Sequence, residues 1–156
     1  MPEVVELPEV ADTVAFGRRL GELLRPGDLV LLAGPLGAGK TVLVQGIAAG
    51  LGVTGQVSSP TFVIARVHRP VPEGRGVPLV HVDAYRLVDD LDLLDDLDLD
   101  TDLVDAAVVV EWGEGAAERL SADHLLIRLD RRTDETRVAR LEPHGEWRTR
   151  LAAGLP

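Results

Sequence analysis

The sequence contains no cysteine, few aromatic residues and no long hydrophobic run. Without cysteine, the chain forms neither disulfides nor thiolate metal sites. Two Trp, two Phe and one Tyr are too few for a surface that stacks unpaired bases, so Leu, Val and Ala must build the core. The N-terminus, MPEVVELPEVADT, is acidic and lacks an apolar signal core. We therefore expect a cytoplasmic protein without a membrane segment.

Basic residues are also in short supply, with 16 Lys and Arg against 26 Asp and Glu, which gives a net charge of −10. A protein that binds the nucleic acid backbone normally presents a basic patch. Four arginines near the C-terminus could form a local stripe, to which we assign no role: Arg131, Arg132, Arg137 and Arg140. Autonomous binding of tRNA or DNA is therefore not expected.

At 156 residues, the chain suits one α/β domain, with 1–7 and 146–156 expected to be its most loosely ordered parts. Continuous apolar runs predict buried parallel strands at 29–33, 79–82 and 106–110. Helical spacing predicts helices from Asp12, as the capping residue, to about Arg25, and at 41–51 and 86–97. Strand-like runs at 4–7, 61–68, 124–130 and 136–141 predict antiparallel additions to a mostly parallel central sheet flanked by helices.

The segment 34–41 reads GPLGAGKT and fits the pattern G-x-x-x-x-G-K-[ST]. Its small residues allow the backbone to wrap closely around a phosphate at a helix N-terminus. The candidate phosphate-binding loop consists of Gly34, Pro35, Leu36, Gly37, Ala38 and Gly39. In this pattern Lys40 reaches the β- and γ-phosphates, and the Thr41 hydroxyl ligates magnesium. The sequence therefore predicts a P-loop NTPase domain that binds ATP or ADP with Mg²⁺.

Two acidic residues, Asp83 and Glu111, directly follow predicted buried strands. Ligands of an open α/β sheet bind beyond the carboxyl ends of its strands. P-loop enzymes need a carboxylate near magnesium and a group that orients the attacking water, and the sequence leaves open which residue does which. We favour Glu111 as the magnesium ligand and Asp83 as a group that either orients the attacking water or supports the metal site from outside its direct ligands. For either residue alone, the alternative is a helix cap or a solvated strand end.

Three further features invite a functional interpretation. Ser59 and Thr61 lie in the segment SSPTF, where hydroxyls can sense a γ-phosphate, although an ordinary Ser/Pro turn is the alternative. His81 shares a strand face with Asp83, and a packed or hydrogen-bonded core histidine is favoured over a catalytic one. The acidic run 89–102 fails the EF-hand spacing, so we interpret it as a solvated amphipathic helix that could meet a basic partner.

Together, four motifs resemble the TsaE family, formerly YjeE: GPLGAGKT, SPTF, HVDAYRL and EW, in this order. The resemblance extends from the region of Thr13 to about Leu141. It implies a small bacterial ATPase with weak activity alone, which works with the TsaD and TsaB proteins. Those proteins install threonylcarbamoyl on adenosine 37 of tRNA.

The resemblance also implies roles for individual residues. Thr41 and Glu111 would hold magnesium, and Asp83 would be needed for hydrolysis. Trp112 would lie beside the nucleotide, and Thr13 would approach the adenine. Pro35 stands where the family commonly has an acidic residue, which should stiffen the loop without changing its phosphate contacts.

Two other functions remain as alternatives. A small-molecule P-loop kinase would need an acceptor pocket and usually an arginine-bearing lid, whereas the region after Glu111 reads as strands. A nucleotide-gated interaction module would bind ATP without significant catalysis. It would continue to function when hydrolysis is abolished.

Overall fold

The computed structural model describes residues 3–35, 38–53, 65–72, 76–83, 105–111, 123–134 and 136–152. Its strands are β1 (Glu3–Leu7), β2 (Leu29–Ala33), β3 (Ala65–His68), β4 (Leu79–Asp83), β5 (Ala107–Glu111), β6 (His124–Arg131) and β7 (Arg137–His144). Its helices are α1 (Val10–Leu23), α2 (Lys40–Leu51) and α3 (Trp147–Ala152). No helix among the residues that the model describes is long and apolar enough to cross a membrane.

The described strands form one sheet in the order β1-β7-β6-β2-β5-β4-β3. Its centre is parallel, because β2 pairs in parallel with both β5 and β6, and β5 pairs in parallel with β4. The outer pairs, β1 with β7, β7 with β6 and β3 with β4, are antiparallel. The α/β fold class predicted from the sequence, a mostly parallel centre with antiparallel additions, is confirmed.

The central strands are buried because their side chains are apolar on both faces. Every residue of β2 and of β5 is buried, including the terminal Glu111 of β5. A parallel strand that is covered on both sides requires such a continuous apolar run, which is why these strands were readable from the sequence. Helices α1 and α2 pack against each other, and glycines at Gly17 and Gly46 bring their backbones into close approach.

The start of α1 differs from the prediction. Glu9, not Asp12, is the capping residue, and α1 ends at Leu23 rather than near Arg25. The Asp12 carboxylate instead accepts a hydrogen bond from the Glu9 N–H at 2.8 Å, from a position three residues inside the helix. An acidic residue at this position stabilises a helix start from within the first turn. Asp12 therefore marks the start of α1, as predicted, but it lies three residues inside the helix instead of at the capping position.

The terminal segments 1–7 and 146–156 form regular structure over their described parts, in β1 and α3. Strand β1 pairs with β7 along its whole length. In α3, which the sequence did not predict, Trp147 is buried and the Arg150 guanidinium lies 3.9 Å from the centre of its ring. Arg150 also donates to the Asp28 carboxylate at 2.6 Å, which ties α3 to the start of β2.

Several predicted features lie outside the described residues. They are the helix at 86–97 with the acidic run 89–102, the loop and strand start at 55–64 with Ser59 and Thr61, and Trp112.

Candidate functional site

The connection from β2 to α2 is the glycine-rich loop 34–39, of which Leu36 and Gly37 lie outside the described residues. Gly39 has a φ of 102° and caps α2 with a left-handed backbone that residues with side chains rarely adopt. The first bond of the helix runs from the Leu43 N–H to the Gly39 carbonyl at 2.9 Å. The amides of the preceding turn have no intrahelical partner, so this helix end favours an anion.

Lys40 is the first residue of α2 and is 6% exposed. Its ammonium group donates to the carbonyl oxygens of Gly34 at 2.6 Å and Pro35 at 2.9 Å. The side chain therefore folds back over the loop and concentrates positive charge beside the helix N-terminus. Ala38 donates its N–H to the Pro35 carbonyl at 3.2 Å, which closes a turn within the loop.

The two strand-end acids occupy neighbouring positions of the sheet. Asp83 ends β4 and lies in register with Glu111, which ends β5. Glu111 in turn lies in register with Leu32 of β2, two residues before the loop begins at Gly34. The register therefore brings both acidic positions to the carboxyl edge of the sheet, as the sequence predicted. Because β5 lies between β4 and β2, Glu111 belongs to the strand beside the loop, and Asp83 to the next one.

The Glu111 carboxylate is buried, with 4% of the residue exposed. Its Oε2 atom lies 2.9 Å from His81 Nε2, and His81 is completely buried. Sequence reasoning favoured a packed or hydrogen-bonded histidine here, and the structure shows a hydrogen-bonded one. Sequence alone did not identify Glu111 as the partner, because that contact depends on the pairing of β4 with β5.

The residues at this edge fit a magnesium ion that a nucleotide helps to hold. Mg²⁺ prefers six oxygen ligands and is usually bound by one or two carboxylates together with phosphates and water. Glu111 supplies a buried carboxylate and Thr41, half-buried in the first turn of α2, supplies a hydroxyl. Within the described ranges, no group of three or more His, Cys, Asp or Glu residues could hold a metal ion by itself.

A cavity of about 230 Å³ opens beside the glycine-rich loop. Its walls are the β1–α1 junction at 7–10, the start of α2, Thr13 and Arg137. Thr13 is 2% exposed, and its hydroxyl has no hydrogen-bond partner among the residues described. A buried hydroxyl without a partner costs free energy, which a polar ligand in the cavity would recover. Thr13 thus lines a cavity that reaches the loop at Gly39.

Arg137 is a residue of this cavity to which sequence reasoning assigned no role. Its Nε atom lies 3.7 Å from where a Cβ at Gly39 would be. The four C-terminal arginines do not form one surface. Arg137 and Arg140 are three residues apart on β7, so their side chains point to opposite faces of the sheet. Arg132 forms an ion pair with Glu6 at 3.0 Å. No local signal distinguishes Arg137 from its neighbours, since only the position of β7 in the sheet brings it to the loop.

The fold and this edge define an α/β domain in which a glycine-rich loop joins a central strand to a helix and acidic positions end the adjacent strands. The family model described as "Threonylcarbamoyl adenosine biosynthesis protein TsaE" matches residues 7–139. The chain belongs to the TsaE family.

Individual relatives agree with this assignment. The tRNA threonylcarbamoyladenosine biosynthesis protein TsaE of Mycobacterium tuberculosis is 59% identical over 139 residues, which cover 85% of this chain and 82% of the relative. The protein of the same name from Streptomyces coelicolor is 61% identical over 121 residues, covering 78% and 80%. The crystal structure of Bacillus subtilis YdiB superimposes with a TM-score of 0.76 at 28% identity, covering 99% of this chain and 95% of YdiB.

Proposed function

We propose that the chain binds ATP with Mg²⁺ at the carboxyl edge of β2, β5 and β4 and hydrolyses it slowly. The observation that carries this proposal is what surrounds the glycine-rich loop: Lys40 folds over the loop, Glu111 ends the neighbouring strand β5, and a cavity lined in part by Gly39 lies on the side of β1, α1 and β7. Open α/β sheets bind their ligands at the carboxyl edge. A cation beside the loop, an acid on the adjacent strand and a cavity next to the loop match the parts of a magnesium nucleotide.

Each residue has a role that follows from its position. Lys40 and the amides at the start of α2 compensate the charge of the phosphates, while Thr41 and Glu111 would hold the metal. A bound Mg²⁺ would offset the negative charge that develops during phosphoryl transfer. Asp83, one strand further from the loop, orients the attacking water. Thr13 offers its hydroxyl to the nucleotide inside the cavity.

Hydrolysis by the isolated chain is expected to be slow. P-loop enzymes without an arginine finger turn over slowly, and we assign no arginine of this chain to the γ-phosphate. A partner that completes the site would therefore raise the rate. Leu36, Gly37, Ser59, Thr61 and Trp112 remain proposed nucleotide contacts on the basis of the sequence pattern alone.

The proposed partners are TsaB and TsaD, which this ATPase supports in the threonylcarbamoylation of adenosine 37 of tRNA. The names of the relatives, which refer to tRNA threonylcarbamoyladenosine biosynthesis, support this part of the proposal. The net charge of −10 supports contact with tRNA only through the complex, in the cytoplasm.

Nucleotide binding can be tested through a peculiarity of the composition: Lys40 is the only lysine in the sequence. An amine-reactive acylating reagent therefore has one side-chain target, and the α-amino group serves as an internal control. At about ten times the Kd of Mg·ATP, acylation of Lys40 should slow roughly ten-fold, because only the free fraction reacts. Acylation of the α-amino group should not change. Equal rates at Lys40 with and without Mg·ATP would contradict the proposal.

Partner stimulation is tested separately by phosphate release. Adding TsaB–TsaD should raise the rate, and a free-chain rate that already equals the rate with the complex would contradict that part of the proposal.

Radiolabelled γ-phosphate should appear as inorganic phosphate and on no metabolite, which separates an ATPase from a kinase. If Asp83→Ala abolishes hydrolysis but preserves tRNA modification, the chain is a nucleotide-gated module.

A further inference from the structure

The Glu111 carboxylate is held from the side by a single buried ring. His81 of β4 lies in register with Val109 of β5, two residues before Glu111. Side chains two residues apart on a strand point to the same face, so His81 and Glu111 are diagonal neighbours on one face of adjacent strands. Their polar atoms, His81 Nε2 and Glu111 Oε2, are 2.9 Å apart, and their side chains are 0% and 5% exposed.

The direction of this hydrogen bond follows from the chemistry of the two groups. Glu111 can ligate a metal only as a carboxylate, which accepts hydrogen bonds and donates none, so in the proposed role the hydrogen is on Nε2 of His81. The other ring nitrogen, Nδ1, is buried and has no hydrogen-bond partner among the described residues. Of the contacts seen in the described part of the chain, the bond to Glu111 is thus the one polar function of this ring. The effect of this buried histidine is therefore on the orientation of the Glu111 carboxylate.

The bond also fixes which carboxylate oxygen is available. His81 contacts Oε2, and within the described ranges no hydrogen bond is made to Oε1. A carboxylate that is free to rotate presents either oxygen in any orientation, and fixing it in advance lowers the cost of ligating a metal. Groups that hydrogen-bond to a metal ligand are known to change metal affinity by about 10- to 100-fold.

We propose that His81 is a positioning residue, which holds the Glu111 carboxylate by Oε2 and leaves Oε1 directed to the magnesium of Mg·nucleotide. This inference rests on the proposed function, because it requires Glu111 to be a magnesium ligand. His81 itself contacts neither nucleotide nor metal. Its effect is specific for magnesium, so nucleotide affinity in the absence of magnesium does not depend on it.

The test measures magnesium dependence instead of activity. Binding of a fluorescent ADP analogue is titrated first in EDTA and then against Mg²⁺, which gives a metal-free Kd and a half-saturating Mg²⁺ concentration for each variant. His81→Leu removes the donor, and it should raise the half-saturating Mg²⁺ concentration by about 10- to 100-fold while changing the metal-free Kd less than about two-fold. His124→Leu is the control, because His124 is equally buried at the amino end of β6, away from the site.

A pair of amides keeps the test decisive if the leucine variant fails to fold. The Gln side chain carries its N–H₂ group about as far from the backbone as Nε2, whereas Asn is one methylene shorter and cannot reach Glu111. His81→Gln should retain most of the magnesium affinity, and His81→Asn should lose it. Equal effects of the two amides on the magnesium titration, or parallel losses with and without Mg²⁺, would overturn the proposal.

The outcomes also separate this inference from the function on which it rests. If the wild-type chain binds no nucleotide, or binds it equally with and without Mg²⁺, the proposed function fails. If Glu111→Gln abolishes the magnesium dependence but no His81 variant alters it, only the positioning role fails.

Discussion

The contact between α1 and α2 allows a sharp test of the fold around the glycine-rich loop. At Gly17 the two helix backbones approach so closely that an added Cβ would lie 2.5 Å from the Leu43 carbonyl oxygen and 3.0 Å from the Gly46 Cα atom. Both neighbours are backbone atoms of α2, so neither can rotate away. Gly17→Ala must therefore push the helices apart by roughly 1 Å to reach an ordinary contact distance.

The expected effect is the difference between two opposing terms. Alanine in the middle of a helix is favoured over glycine by about 1 kcal/mol. Overpacking a well-filled interface typically costs about 1–3 kcal/mol and can cost more where backbones must move. Since Gly17 is buried and the clash is with backbone, we expect the second term to dominate. An overpacking cost in the upper part of that range, about 2–3 kcal/mol, less the gain of about 1 kcal/mol, lowers the free energy of unfolding by about 1–2 kcal/mol.

Urea denaturation followed by circular dichroism measures this change, with unchanged m as the check that the two-state model holds. Ala15→Gly is the matched control, because Ala15 is exposed on the same helix and reports helix propensity alone. It should lose about 1 kcal/mol. If Gly17→Ala were instead stabilised by about 0.5–1 kcal/mol, the close approach of the two helices would be refuted.

Two further predictions concern arginines. Arg137→Ala should weaken ATP binding by several-fold, because the Arg137 side chain lines the cavity beside Gly39. Arg140→Ala should leave the ATP affinity unchanged, because Arg140 lies on the other face of β7. Equal ATP affinities of the two variants in a fluorescence titration would contradict this prediction. Arg150→Leu should lower the free energy of unfolding by about 2–4 kcal/mol, because the substitution leaves the Asp28 carboxylate without its cation. Arg148→Leu, on the same helix, should change the free energy of unfolding by less than about 0.5 kcal/mol. Urea denaturation of the two variants checks the difference.

The sequence predicted the parts of the fold whose cause is local. Strands β2 and β5 can be predicted from the sequence because a strand buried on both faces needs an unbroken apolar run. The residue at the end of such a strand necessarily lies at the carboxyl edge of the sheet. This reasoning was enough to bring Asp83 and Glu111 to one edge of the sheet. The same applies to the glycine-rich loop, because Gly39 is required by a backbone angle that other residues avoid.

The parts that were missed depend on contacts between distant segments. The bond from His81 to Glu111 requires the pairing and register of β4 and β5, which no residue spacing encodes. Arg137 reaches the loop only because β7 runs beside β6. Helix α3 was missed because six residues are too short for helical periodicity, and its burial of Trp147 depends on the rest of the fold.

The pairing of β1 with β7 determines when the cavity beside Gly39 can be completed during synthesis. Strand β1 leaves the ribosome first, yet its partner β7 follows more than a hundred residues later. One wall of the cavity near Thr13 comes from the β1–α1 junction, and Arg137 at the start of β7 supplies another part of its lining. A nascent chain that stops before β7 can already possess the whole glycine-rich loop but lacks a complete pocket next to it. The part of the cavity lining that Arg137 supplies can therefore form only after β7 has been synthesised.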